Sequence, residues 1–156
     1  MNGVIKMQSE VCSKRNLAQI CGFDRESAGA AMEPVLYQGA RFLLIGKGKG
    51  TIRIRDREYE LRPDTLVSIL PWDIVEIPSV SSPLHYQVIR YRFRIVNDIL
   101  KTDLNVDNMP LGIVNLLSDH PVIHCTGREL ETIRKIFADI EEEIGLDATL
   151  GNKKGR

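Results

Sequence analysis

Between Val35 and Ile95, β-branched and aromatic residues alternate with polar ones, and Gly, Pro or Asp punctuates the chain every several residues. No segment in that interval has the length of a crossover helix. Consecutive strands must therefore return on one another, giving a sandwich or a small closed barrel rather than a parallel sheet. The pattern predicts strands over 36–46, 50–55, 58–61, 65–70, 74–77 and 84–95, and Thr51-Ile52-Arg53-Ile54-Arg55 shows the cleanest inside/outside alternation. Gly46, Gly48 and Gly50 lie between two of these strands, where glycine permits a sharp reversal or a bulge. Asp56-Arg57 and Arg62-Pro63-Asp64 turn the following hairpins, and Pro71, Pro78 and Pro83 fall at strand ends, where a missing N–H costs nothing.

The flanks read differently. Residues 1–35 lack a period: Val11, Leu17, Ile20 and Phe23 allow a short helix, Gly29 and Pro34 interrupt it, and the expectation is an N-terminal arm. After Asn97 the pattern turns helical. Thr126-Gly127-Arg128-Glu129 has the form of a capping box, and Leu130, Ile133, Phe137, Ile140 and Ile144 follow at steps of three and four. Gly145 is a natural stop, which predicts a helix over 127–145. The expected organisation is an arm (1–35), a β core (36–96), a helical extension packed on it (97–146) and a cut linker (147–156).

With 43% hydrophobic and 27% charged residues in 156, the chain has ordinary globular composition and can bury a core without disulfides or a structural metal. Its 21 Lys+Arg balance 21 Asp+Glu, so no global field draws a polyanion, and DNA contact would need another domain. No apolar run approaches the roughly 18 residues that span a bilayer, and no signal-peptide core follows Met1. Cys12, Cys21 and Cys125, odd in number and scattered, fit reduced thiols, and the expectation is a cytoplasmic protein.

Several tempting motifs carry little chemistry. Gly46-Lys47-Gly48-Lys49-Gly50-Thr51 lacks phosphate-loop spacing and enters a strand instead of a helix. Arg90-Tyr91-Arg92-Phe93-Arg94 mixes cations and aromatics, but on a strand these point to opposite faces. His120, His124 and Cys125 have zinc-ligand chemistry without a fourth partner, and there is no Cys-x-x-Cys. No nucleophile elbow is present, and Glu141-Glu142-Glu143 reads as a solvated helix face.

The segment Gly46–Ile77 resembles the N-terminal cupin-like barrel of bacterial AraC-type transcription regulators. The shared elements are Gly48-x-Gly50, Ile52 and Ile54, Tyr59 and Leu61, Arg62-Pro63-Asp64, and Leu66 to Pro71. The resemblance continues more loosely over residues 36–146. It departs at Asp64-Thr65, where members usually have Gly-Asp, and it lacks the His-x-His pair of metal-binding cupins: Arg53 and Arg55 stand on that strand, with Glu76 alone nearby. A stable transition-metal site needs three or four converging ligands, so neither metal nor cofactor is expected, and the alternative of a stand-alone cupin isomerase or dioxygenase is disfavoured.

The resemblance implies a mainly β, cupin-like double-stranded β-helix with a C-terminal helix. It also implies a non-enzymatic effector-sensing domain for a small cytoplasmic metabolite, a sugar or another polar or anionic compound. Dimerisation belongs to the full regulator, and DNA contact to a C-terminal helix-turn-helix region that these residues lack. The residues it places around the ligand are Lys47, Trp72, Glu76, Tyr86, Val88, Arg90 and Arg92.

Overall fold

The computed structural model describes residues 20–95 and 119–154, with side chains of the last helix described as far as Gly145. Its elements are β1 (Cys21–Ala28), β2 (Met32–Leu36), β3 (Ala40–Ile54), β4 (Arg57–Leu61), β5 (Thr65–Ile69), β6 (Ile74–Tyr91), β7 (Val122–His124) and α1 (Gly127–Lys154). All seven strands form one antiparallel sheet. The mainly β, cupin-like fold with a C-terminal helix is therefore present, though the ladder of described strands does not close into a ring.

Two long strands organise everything else. β3 and β6 pair along nearly their whole length, from Ala40↔Tyr91 to Ile54↔Val75. At one end β1 and β5 flank this pair, with β7 outside β5; at the other end β2 and β4 flank it. Midway, the β3–β6 register slips between Ile45 and Lys47, Lys47 and Lys49, Lys49 and Gly50, and again between Thr51 and Arg53. The slips change which residues face inward. On β3 the core takes Leu43 and Ile45 and then Ile52 and Ile54; on β6 it takes Val75 and Ile77 and then Leu84, Tyr86 and Val88. Odd positions give way to even ones on both strands, as bulges require. Since residues from both ends belong to one core cluster, the sheet folds back so that its two halves face each other.

The glycine stretch makes that fold. Gly48 has φ +95°, and a Cβ there would lie 2.1 Å from the Pro83 carbonyl oxygen. Gly50 is similarly close to the opposite strand, with Ser79 O at 2.6 Å from its would-be Cβ. Glycine here allows close backbone approach within a continuous ladder. The sequence predicted a break at this point, with separate strands over 36–46 and 50–55; the structure instead has the single strand β3. Likewise 74–77 and 84–95 merge into β6, which bends past Pro78 and Pro83 and ends at Tyr91.

Two further corrections concern the flanks. The expected arm contributes strands β1 and β2, because β1 needs only one neighbour and finds it along β6, from Cys21↔Tyr91 to Ala28↔Leu84. Gly145 does not stop α1, which runs on to Lys154 through residues expected to be linker. A glycine inside a helix costs about 1 kcal/mol against alanine, too little to end one that its neighbours favour. The part of the arm before Ile20, and the helical extension over 97–118, lie outside the described residues.

α1 lies on the outer face of the sheet. Phe137, 3% exposed, joins Leu44 and Ile89, with Phe23, Phe42, Leu66, Ile133 and Ile140 around them. This is the docking stripe that the helical period predicted, with Ile136 left 48% exposed beside it. Asp64, at φ +67°, ties the turn before β5 to its surroundings: its N–H donates to Ile45 O at 2.8 Å, and its carbonyl accepts from Cys125 N at 2.9 Å.

Candidate functional site

The interior between the facing halves is mostly apolar, and one group of polar side chains borders a cavity in it. Leu43, Ile52, Ile69, Val75 and Ile77 surround a small cavity of about 10 Å³, which Met32, Tyr37, Arg41, Tyr86 and Glu26 complete. That is room for about one water molecule. Tyr86 projects from β6 and Arg41 from β3, while Tyr37 lies in the link between β2 and β3.

The group borders the core: Tyr86 is buried, Arg41 and Tyr37 are half-buried and Glu26 is exposed. The Arg41 guanidinium carbon sits 3.7 Å from the centroid of the Tyr37 ring, a cation–π contact. Its Nε is buried and has no hydrogen-bond partner among the described residues. Burial, with the negative charge of Glu26 second, pushes the Tyr86 hydroxyl up to about 12. Tyr37 is also raised by burial, against an opposing pull from Arg41. Both phenols therefore stay protonated, as donors beside a guanidinium with a spare N–H. A buried donor left without an acceptor costs roughly 1–3 kcal/mol, and such groups concentrate where a ligand completes them. The arrangement can accept an anionic or strongly polar group from Arg41 and the two tyrosines, with the aliphatic wall holding an apolar body.

Sequence reasoning missed Arg41. The signal was available, because Arg41, Leu43 and Ile45 alternate along one strand, which puts a cation in line with the core-facing residues. Tyr37 and Glu26 had no such signal: Glu26 lies in the segment read as an arm, and its place depends on the β1–β6 pairing Glu26↔Tyr86.

The residues expected around the ligand separate. Tyr86 and Val88 are both in the inner core. Arg90 shares their side of β6 beyond the core, where its Nη2 is 2.8 Å from Asp24 Oδ2 and its guanidinium covers Gly22. Arg92 lies past the end of β6, exposed, with its backbone N–H donating to Ile20 O. Glu76 faces outward and is bound by Arg53 Nη1 at 2.8 Å, in a cluster with Glu58. Trp72 is 52% exposed in the turn between β5 and β6, edge-on to Phe93 at 5.6 Å. That turn is locked by Asp73, fully buried, whose Oδ2 accepts from Leu70 N at 2.9 Å and whose Oδ1 is 3.1 Å from Arg55 Nε. Lys47 lies at the bend of β3 and lines an outer groove of about 740 Å³ between α1 and the sheet. The structure thus brings Tyr86 and Val88 together at the interior and places Trp72, Glu76 and Lys47 elsewhere.

The histidines are dispersed. His85 lines the outer groove, and the Nδ1 of His124 shares a 2.9 Å hydrogen bond with the buried Thr65 hydroxyl. Among the described residues no three His, Cys, Asp or Glu side chains converge as a metal site would require.

A folded-back antiparallel sheet with a polar cluster in an apolar interior, and a helix on the outer face, defines a cupin-type binding domain. The chain belongs to the family of AraC-like ligand binding domains, whose sequence profile matches residues 17–147. It is thus an effector-binding regulatory domain. Among solved structures, it is similar to ToxT from Vibrio cholerae, with 10% identity and a TM-score of 0.51 over 76% of this chain and 47% of that one. That likeness shows the fold. It is also similar to a cupin protein from Bacteroides fragilis (24% identity, TM-score 0.39, 46% of this chain and 64% of that one). A third similar structure is an RmlC-like cupin family protein with a double-stranded β-helix fold from Methanocaldococcus jannaschii (16% identity, TM-score 0.43, 47% of this chain and 71% of that one). No curated protein matches the chain significantly.

Proposed function

We propose that this domain senses a small polar or anionic metabolite for a bacterial AraC-type transcription regulator, acting in the cytoplasm and without catalysis. The effector enters between the two halves of the folded sheet. The observation that carries this reading is Arg41, a half-buried residue on the core-facing row of β3 whose Nε is buried with no acceptor among the described residues. Arg41 receives the anionic or most polar group of the effector, Tyr37 and Tyr86 donate from the side, and Val88 belongs to the apolar wall behind Tyr86. Arg90, at the open end of the same face, screens the approach.

A cavity of about 10 Å³ cannot hold a metabolite, so binding selects a state in which the segment from Met32 to Tyr37, β2 and the start of its link to β3, moves outward. β2 is paired irregularly, its register on β6 slipping between Met32 and Val35. Opening it is the conformational change that a regulator can read. With 21 cations against 21 anions, the chain offers no polyanion-binding field, so DNA contact falls to another part of the regulator.

A thermal-shift screen of carboxylate, phosphate and sugar metabolites tests the reading. An effector at a hundred times its Kd stabilises by about 2.7 kcal/mol, or roughly 5–10 °C for a domain of this size. The shift should vanish in Arg41→Ala and shrink in Arg90→Ala. Equal shifts in wild type and Arg41→Ala would remove Arg41 from the site.

A further inference from the structure

The outer groove has a construction of its own. Across β1, β6 and β3 the outward side chains form rows, and the ladder registers define them. Phe23, Ile89 and Phe42 make the apolar row under Phe137. The next row is Arg25, Gln87 and Leu44, and the one beyond it is Ser27, His85 and Lys47. Toward the bend the sheet thus changes from apolar to polar, and α1 no longer seals against it. On the helix, Arg134, Ala138 and Glu141 face this gap at spacings of four and three, with the small Ala138 in the middle.

Two ion pairs bridge the gap at its ends. Arg25 Nη2 is 2.9 Å and Nε 3.1 Å from the Glu141 carboxylate, and Arg134 Nη2 is 2.7 Å from Asp64 Oδ1. Those pairs match both arginines with Glu141 and Asp64; the third acid of the lining, Glu26, projects from β1 on the side of Ala28 and Tyr86, away from the row of Arg25 and Ser27. Lys47 remains: it lines the groove and has no ion-pair partner among the described residues. Adjacent strands stand about 4.8 Å apart, so the side chains of Ser27, His85 and Lys47 are neighbours in one row. A volume of about 740 Å³ is that of a metabolite-sized pocket.

We propose that this groove is a second binding site, on the opposite side of the sheet from the interior one and bordering it at Glu26 and Tyr86, for a small organic anion bearing a carboxylate or phosphate group. Its head group accepts hydrogen bonds from the Lys47 ammonium and the Ser27 hydroxyl beside His85. Its body lies along Leu44 and under Ala138. A ligand there touches sheet and helix at once, so its occupancy is coupled to how α1 is seated on the sheet.

The test is a series of 1H–15N spectra of the protein titrated with inorganic phosphate and, separately, with succinate, each to about 10 mM, a range that covers dissociation constants up to the millimolar level. The expected result is saturable shifts at Ser27, Gly46, Lys47, His85 and Ala138 with at least one probe, and the tighter probe identifies the head group. Lys47→Ala, at an exposed position, should keep the fold and bind at least about tenfold more weakly. Ala138→Trp, which fills the groove, should abolish the response; if it fails to fold, Lys47→Ala alone decides. Arg41→Ala should leave the groove response intact, which separates this site from the interior one. No saturable shift with either probe, unchanged binding in Lys47→Ala, or shifts centred on Tyr37 and Arg41 would overturn the proposal.

Discussion

The two faces of the folded sheet are built from the same long strands and have opposite characters. The inner face of β3 and β6 is packed until about 10 Å³ remains, yet it holds an arginine with an unsatisfied N–H. The outer face is packed only beneath Phe137 and leaves about 740 Å³ open beside it, where the facing arginines are paired. A closed pocket with unmet hydrogen bonding is poised to respond to a ligand, whereas an open groove whose bridging charges are already matched is poised to hold two elements together. Volume alone would rank the groove first; chemistry ranks the interior first. Both faces depend on the parity change at the glycine bend, which lets one strand supply core residues to both halves.

The sharpest way to break this comparison is at that bend. Gly48→Ala should cost about 4 kcal/mol or more in urea denaturation, or prevent folding, because both the φ of +95° and the backbone of Pro83 and Leu84 oppose a Cβ. Gly29→Ala, where a Cβ meets nothing within 4 Å, should change stability by less than about 1 kcal/mol. Equal effects of the two would remove the bend from its central place. On the outer face, Phe137→Ala should destabilise by roughly 3–5 kcal/mol through loss of a packed aromatic, again by urea denaturation.

Buried tyrosines on the two faces, Tyr86 in the inner core and Tyr91 stacked on Phe42 of the outer face, should show themselves at high pH. Tyr86 and Tyr91 are both pushed up to about 12, chiefly by burial, from an ordinary value of 10. Between those values the unfolded chain has released protons that the native state retains, so stability should be full below about pH 10 and fall as pH rises toward about 12. Tyr86→Phe should make that fall shallower, and an unchanged slope would show that Tyr86 is not held protonated by the core. At the interior site, Arg41→Met should have only a small effect on stability. It removes a donor that no described residue satisfies along with a cation–π contact, so the unfolding free energy should move by no more than about 1 kcal/mol while effector binding is lost.

Alternation made the β core and the docking stripe of α1 legible in the sequence, since both are local periodic signals: Ile52 and Ile54 face in, and Phe137 and Ile140 face the sheet. What stayed hidden depends on pairing across long sequence separations. β1 looked like an arm because Phe23 and Ala28 acquire their environment only beside β6. Three glycines within five residues suggested a break between strands, whereas the β6 backbone, approaching within a would-be Cβ contact, keeps β3 continuous. The site was half legible. Tyr86 and Val88 follow from the alternation of β6, but their partners Tyr37 and Glu26 come from segments whose positions no local pattern fixes. Glu76, expected beside the ligand, is bound by Arg53, a pairing set by the Arg53↔Glu76 register that follows the bulges.

The most direct test of the interior site is a crystal structure of the domain with the metabolite that the thermal-shift screen identifies. The account predicts ligand density between the halves of the sheet, an anionic or polar group within hydrogen-bond distance of Arg41 Nε, and a cavity widened to at least about 300 Å³ by outward movement of Met32 and Tyr37. Ligand bound elsewhere, with the interior still near 10 Å³ and Arg41 Nε still without a partner, would contradict it.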